Sequence, residues 1–222
     1  MSTPRTRPLT PRRHFLAAIG GMALVASTAP ARADSTRPYA KQVRTFLEIR
    51  QENVVLQEWD ISCGAASLAT LLAYQHGDPI PEREIALAML KGTDTELVKQ
   101  RLGFSLLDLK RFLESRGYAG DGYGNVGLAD LIDLAPAIVP IRLQAAYDHF
   151  VVFRGLAGGR AVLADSAFGN RTMPIGRFLD VWQKQIAFIV RRPDEPRPEN
   201  RLALTDADLL IVPREVVRAA IY

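Results

Sequence analysis

HFVVFRGLAGGRAVLAD, residues 149–165, reads as a β-hairpin. β-branched and aromatic residues follow His149, a second apolar run covers Ala161 to Ala164, and a glycine-bearing segment separates them. A three-residue loop with Gly158 in the left-handed conformation is a common hairpin connection. In that register Gly155 faces Gly159 and His149 faces Asp165. Opposite residues of an antiparallel pair share a face, with Cβ atoms about 5 Å apart. A slip of one residue would separate them. A histidine beside a carboxylate is a candidate general base held in one tautomer, with its imidazolium stabilised.

Working outward, AIVPIRL (137–143) and QIAFIVR (185–191) have the same strand character. A short helix over 175–182 lies between the hairpin and the last strand. The chain before residue 135 is helical instead. Ser62 is a plausible N-cap for a helix carrying Leu68, Leu71 and Leu72, which Gly77 and Pro79 stop. A second helix runs from about Pro81 to Leu90, with the proline in its first turn and Gly92 after it. SLLDLKRFLESRG (105–117) has a capping-box start at Ser105 and Asp108, an apolar stripe of Leu106, Leu109, Phe112 and Leu113, and a glycine stop. A short helix over 128–134 follows. NVVLQ (53–57) reads as a short strand leading to Ser62. Helices first and strands second predict an α+β fold, with N-terminal helices packed on a C-terminal antiparallel sheet.

Cys63 is the only cysteine of the 222 residues and stands at the start of the first of these helices. Backbone N–H groups and the dipole at a helix start favour the thiolate, the nucleophilic form. Gly64 and Ala65 leave room for a substrate backbone, which would favour small residues beside the attacked carbonyl. Gln57 is placed to aim a side-chain N–H at the oxygen of an attacked carbonyl. The competing reading is a small buried cysteine with Gln57 as a surface residue. His76, in the helix-ending QHGD, reads as structural. His149 is the better base, and the thiol, imidazole and carboxylate together favour catalysis.

PRRHFLAAIGGMALVASTAPARADS (11–35) is expected to be an export signal. Arg12 and Arg13 precede an apolar run too short for a membrane span, and Ala31-Arg32-Ala33 is a small-x-small cleavage site. Arg-Arg-x-Phe-Leu resembles a twin-arginine signal, with an ordinary secretory signal as the alternative. Five of the 28 basic residues and none of the 24 acidic ones precede Asp34, leaving 23 bases against 24 acids, a net charge of −1. That balance gives no reason to expect nucleic acid or an anionic membrane as a partner. No metal-binding cluster or cofactor motif is present in the sequence. The expected organisation is a signal over 1–33, one domain over 34–191, and a linker and C-terminal extension over 192–222. RRPDEPRPENR (191–201) is its proline-rich charged start, and the residues after it are apolar enough to dock back.

QEWDISCGAASLATLL, DHFVVFRG and LADSAFGNRTM together resemble the C39 family of cysteine peptidases, from about Gln51 to Arg191. The resemblance implies a papain-like fold, Cys63 as nucleophile, His149 as base, Asp165 as its orienting group and Gln57 in the oxyanion hole. Ser166 stands where the family commonly has proline, expected to be a mild change to a turn that touches no catalytic atom. Well-known members are domains of ABC transporters that cut double-glycine leaders. This chain resembles instead the stand-alone exported members, including those associated with functional amyloid secretion, so that specificity does not carry over. The implied activity is cleavage of an exported protein or peptide in the periplasm or outside the cell. A non-catalytic peptide-binding escort and a cysteine-dependent acyltransferase or amidase are the alternatives.

Overall fold

The computed structural model describes residues 45–143, 148–205 and 208. The expected export signal lies outside the described residues. Six antiparallel strands form one sheet in the order β1 (Ala119–Tyr123), β6 (Ala187–Arg191), β2 (Ala137–Ile141), β3 (His149–Ala157), β4 (Arg160–Asp165) and β5 (Gly169–Pro174). The helices are α1 (Phe46–Gln51), α2 (Cys63–Thr70), α3 (Glu82–Gly92), α4 (Thr95–Arg101), α5 (Leu106–Ser115), α6 (Leu128–Leu134) and α7 (Ile175–Val181). The fold is α+β, and helices cover both faces of the sheet. On one face α2, α3 and α5 pack with Phe150, Val152, Ala164 and Phe188. On the other, α6 and α7 pack with Val139, Val151, Phe153 and Leu163. Fully buried Phe153, Phe178 and Phe188 each contribute about 1.5–3 kcal/mol by leaving water.

All residues of α2 are buried, so its alanines and leucines mark a central helix enclosed on every side. α5 has the capping box of Ser105 and Asp108, and buries Leu109, Phe112 and Leu113. Thr93 Oγ1 donates to Asp108 Oδ1 at 2.6 Å, tying the preceding loop to this helix start.

Several elements differ from the sequence expectation. Asn53 stands in a turn with φ 54°, and residues 54–57 join no ladder. Their backbone is satisfied singly, with Val55 N–H donating to Thr70 Oγ1 at 3.0 Å and Gln57 N–H to the Ser166 carbonyl at 2.9 Å. Pro81 is the N-cap of α3, one place before its first turn. α4 was not anticipated; Asp94 caps it, and Leu102 closes it in the left-handed conformation. β1 and β5 were also unanticipated. In β1 a side chain on Gly120 would lie 2.5 Å from Phe188 Cζ and 2.9 Å from Leu113 Cδ1, so this glycine admits a neighbouring ring.

The hairpin reaches its active register by another route. Gly158 (φ 56°) and Gly159 (φ 73°) form a two-residue turn of the primed type, which matches the twist of the flanking strands. Beyond it Ala157 pairs with Arg160 and Gly155 with Val162. Continued unchanged, that register would put His149 and Asp165 on opposite faces. A β-bulge between Phe153 and Gly155 inserts one residue, after which Val152 pairs with Ala164. His149 therefore lies diagonal to Asp165 on the same face, not directly opposite it.

Arg154, the inserted residue, is buried. Its Nε donates to the Leu202 carbonyl at 2.9 Å, and Nη1 donates to Asn170 Oδ1 at 3.1 Å. Nη1 and Nη2 grip Asp208 at 2.6 and 3.0 Å. Leu202 is fully buried, and Gln75 bonds the backbone of Glu199 and Arg201 on either side of Asn200. Residues 198–205 and Asp208 thus lie against the domain and hold the bulge.

Candidate active site

Cys63 is the first residue of α2, where the chain leaves the loop of residues 57–62. Ser62 holds the N-cap position, but its side chain makes no capping bond. Its Oγ donates to the Trp59 carbonyl at 2.8 Å and accepts from Trp59 N–H at 3.3 Å, closing the loop on itself. Gly64 serves packing, not substrate entry: a Cβ there would meet Leu109 Cδ1 at 3.2 Å and Phe150 Cδ2 at 3.4 Å. That contact sets the start of α2 against the start of β3, and Ser67 Oγ donating to the Phe150 carbonyl at 3.1 Å adds to it. Gly64 and Ala65 are buried in the core beside Cys63.

His149 bridges two groups. Its Nε2 lies 2.8 Å from Asp165 Oδ1, and the Cys63 side chain lies beside the imidazole. Burial of the ring works against its charge. The Asp165 hydrogen bond and the adjoining Asp165 and Cys63 side chains outweigh burial and raise His149 from 6.5 to about 9. Asp165 is fully buried, which by itself would raise its carboxyl. The His149 hydrogen bond, the charges of His149 and Arg171 and the Ala167 N–H reverse this and hold it below the ordinary carboxylate range. A buried cysteine, an imidazole and a carboxylate in sequence are the groups that acyl transfer through a thiolate–imidazolium pair would need.

Gln57 is tied to the same end of the sheet. Its Oε1 accepts from Ser166 Oγ at 2.9 Å, and its Nε2 donates to the carbonyls of Trp59 at 2.9 Å and Asp60 at 3.4 Å. The sequence expectation is that Ser166 touches no catalytic atom; it instead meets the Gln57 side chain, while the Trp59 and Asp60 carbonyls, which can only accept, fix which end of that amide carries the donors. Arg171, which the sequence did not single out, donates from Nη1 to Asp165 Oδ2 at 3.1 Å. Recognising β5 would have pointed to it, since it lies two residues beyond Gly169, the partner of Asp165. His76 caps the π-helical segment Leu71–Gln75 that continues α2, and lies edge-on to the Tyr118 ring at 5.4 Å. Burial lowers its pKa, and its surroundings are those of a packed structural histidine.

Fold and site together have the form of a papain-like cysteine peptidase. Residues 51–194 match the model of the peptidase C39 family, and the chain belongs to that family. It is 38% identical over 143 residues to the probable functional amyloid protease FapD of Pseudomonas aeruginosa, covering 64% of this chain and 62% of that protein. It is 36% identical to the FapD of Pseudomonas fluorescens over the same length. The chain thus spans about three fifths of these curated relatives. Among solved structures it resembles a double glycine motif protease from an AMS/PCAT transporter in complex with the leader peptide. That match has 26% identity and a TM-score of 0.51, covering 63% of this chain and 90% of that one. The peptidase domain of Streptococcus ComA, a bi-functional ABC transporter, shares the fold at 23% identity and a TM-score of 0.52, over 62% of this chain and 96% of that one.

Proposed function

We propose that this protein is an exported cysteine peptidase that cleaves a secreted or periplasmic protein through Cys63, His149 and Asp165. The single observation that carries this reading is His149, hydrogen-bonded to Asp165 and with the Cys63 side chain beside its ring. The names of the relatives favour a protein of a functional amyloid system as substrate. The sequence pattern at residues 1–33 supports export. Among the described residues no helix is long and apolar enough to cross a membrane.

In the proposed reaction His149 takes the thiol proton, and the Cys63 thiolate attacks a peptide carbonyl. The tetrahedral oxygen accepts hydrogen bonds from the Cys63 backbone N–H and from Gln57, whose amide turns to it from the loop carbonyls of Trp59 and Asp60. The C–N bond breaks as the His149 imidazolium gives its proton to the leaving amine, and a thioester remains. His149 then takes a proton from water, which attacks the thioester, and the acid product leaves as the Cys63 thiol re-forms. Asp165 keeps the imidazole oriented and stabilises its charged form.

The test compares wild type with Cys63→Ala and Gln57→Ala in the secreting host, reading new peptide termini by mass spectrometry. Termini that vanish in Cys63→Ala establish proteolysis and define the cut. Gln57→Ala is expected to keep iodoacetamide labelling of Cys63 but lose about 10²–10³-fold in turnover. Identical termini in wild type and a folded Cys63→Ala would sink the peptidase reading.

A further inference from the structure

Asp165 is held from both neighbouring strands. Val152 pairs with Ala164 and Asp165 pairs with Gly169, so His149 on β3, Asp165 at the end of β4 and Arg171 on β5 fall on one face in a row across the sheet. Each carboxylate oxygen has its own partners. Oδ1 accepts from the Ala167 N–H at 3.0 Å and lies 2.8 Å from His149 Nε2, whereas Oδ2 accepts from Arg171 Nη1 at 3.1 Å. The guanidinium sits 5.7 Å from the Phe168 ring centroid, and its side chain is only 20% exposed. The other charged or titratable groups packed here are His149 from β3 and Cys63, which reaches His149 from α2. Arg50 of α1 donates to the Phe168 carbonyl at 2.9 Å in the turn after Asp165.

We propose that Arg171 is a positioning residue of the triad, fixing the Asp165 carboxylate by Oδ2 and sharing its charge with the His149 imidazolium. The proposal rests on the triad reading above. The terminal torsion of an aspartate is broad and roughly two-fold, so a carboxylate held at one oxygen alone can turn. A fork-shaped donor on the second oxygen stops that rotation. The second cation also competes with the imidazolium for one buried carboxylate. Asp165 then holds the imidazolium less tightly, and the proton passes more readily to a leaving amine.

The test uses the full chain with Arg171→Met, Arg171→Gln and Arg171→Lys. The imidazole of His149, identified by the loss of its signal in His149→Gln, is titrated by NMR, alongside the pH dependence of Cys63 alkylation by iodoacetamide. Removing the guanidinium charge is expected to move the His149 midpoint upward by roughly half a unit to one unit. Arg171→Lys, which keeps the charge, is expected to stay near wild type. Arg171→Gln keeps a donor for Oδ2 without the charge and carries the same test if the methionine variant does not fold. Neutral variants that titrate with wild type, or below it, overturn the proposal. Absence of Cys63-dependent cleavage in wild type would overturn the peptidase function instead, and the His149 titration would still decide the role of Arg171.

Discussion

Replacing Arg154 by methionine keeps much of the side chain's length and removes the charge that grips Asp208. In the native protein both groups are buried, with side chains 4% and 6% exposed. The arginine also donates to the Leu202 carbonyl and to Asn170. Among the described residues, its loss leaves the Asp208 carboxylate with Thr205, whose backbone N–H and Oγ donate to Oδ2 at 2.7 and 3.0 Å. Breaking a buried pair from one side costs about 3–5 kcal/mol, because the remaining charge stays out of water. Against a typical domain stability of about 5–15 kcal/mol, that loss should be plain in urea unfolding. Undocking of the segment around residues 198–208 would hydrate Asp208 and lower the cost. The second readout is therefore limited proteolysis of that segment. Arg154→Met paired with Asp208→Leu should recover most of the stability, since apolar replacement of a buried ion pair is often neutral or better. A loss below about 1 kcal/mol in the single variant, with no gain in cleavage near residues 198–208, would refute the idea that this ion pair secures the bulge.

Two further predictions follow from the geometry. The His149 value of about 9, against 6.5 for a free imidazole, represents about 3 kcal/mol of preference for the charged ring. Because the folded value is raised, this stabilisation is fully present below pH 6.5 and is lost as the pH rises through about 9. Peptidase activity should therefore show an alkaline limb near pH 9, and Asp165→Asn should bring that limb down, as a pH–rate profile would show; an unmoved limb would contradict the His149–Asp165 assignment. Gly120→Ala would drive a methyl to within 2.5 Å of Phe188 Cζ and cost about 1–3 kcal/mol in thermal or urea unfolding, whereas an unchanged stability would mean that the ring moves freely.

The central features of the site were legible because short-range chemistry specified them. Cys63 at a helix start needed only the helical pattern of the residues after it. The partnership of His149 and Asp165 was also correctly expected, though the assumed register was not the real one. A three-residue loop without a bulge and a two-residue turn with one bulge both leave the two residues on the same face. The tandem Gly158-Gly159 could have indicated the primed turn. The bulge itself could not be read locally, because Arg154 finds its partners at Asn170, Leu202 and Asp208. β5 was hidden for a related reason: Gly169, Asn170 and Arg171 are poor strand formers, and pairing with β4 decides their conformation. The setting of Gln57 depends on Ser166, 109 residues away, and no nearby pattern announces it. The same holds for residues 198–201, whose proline and charge content reads as a linker although Gln75 bonds the backbone of Glu199 and Arg201 there.

Asn170 joins the two ends of the described domain. Its Nδ2 donates to the Glu52 carbonyl at 2.6 Å, just after α1, while its Oδ1 accepts from Arg154, which holds Leu202 and Asp208. One amide on an outer strand, next to Arg171, is therefore shared by the beginning and the end of the described domain. Trimming either side in search of a smaller catalytic unit would loosen the other side as well, and would disturb the strand that supports Asp165. For protein engineering, the minimal functional fragment should extend from about Thr45 through Asp208, beyond the family-matched span of residues 51–194 at both ends.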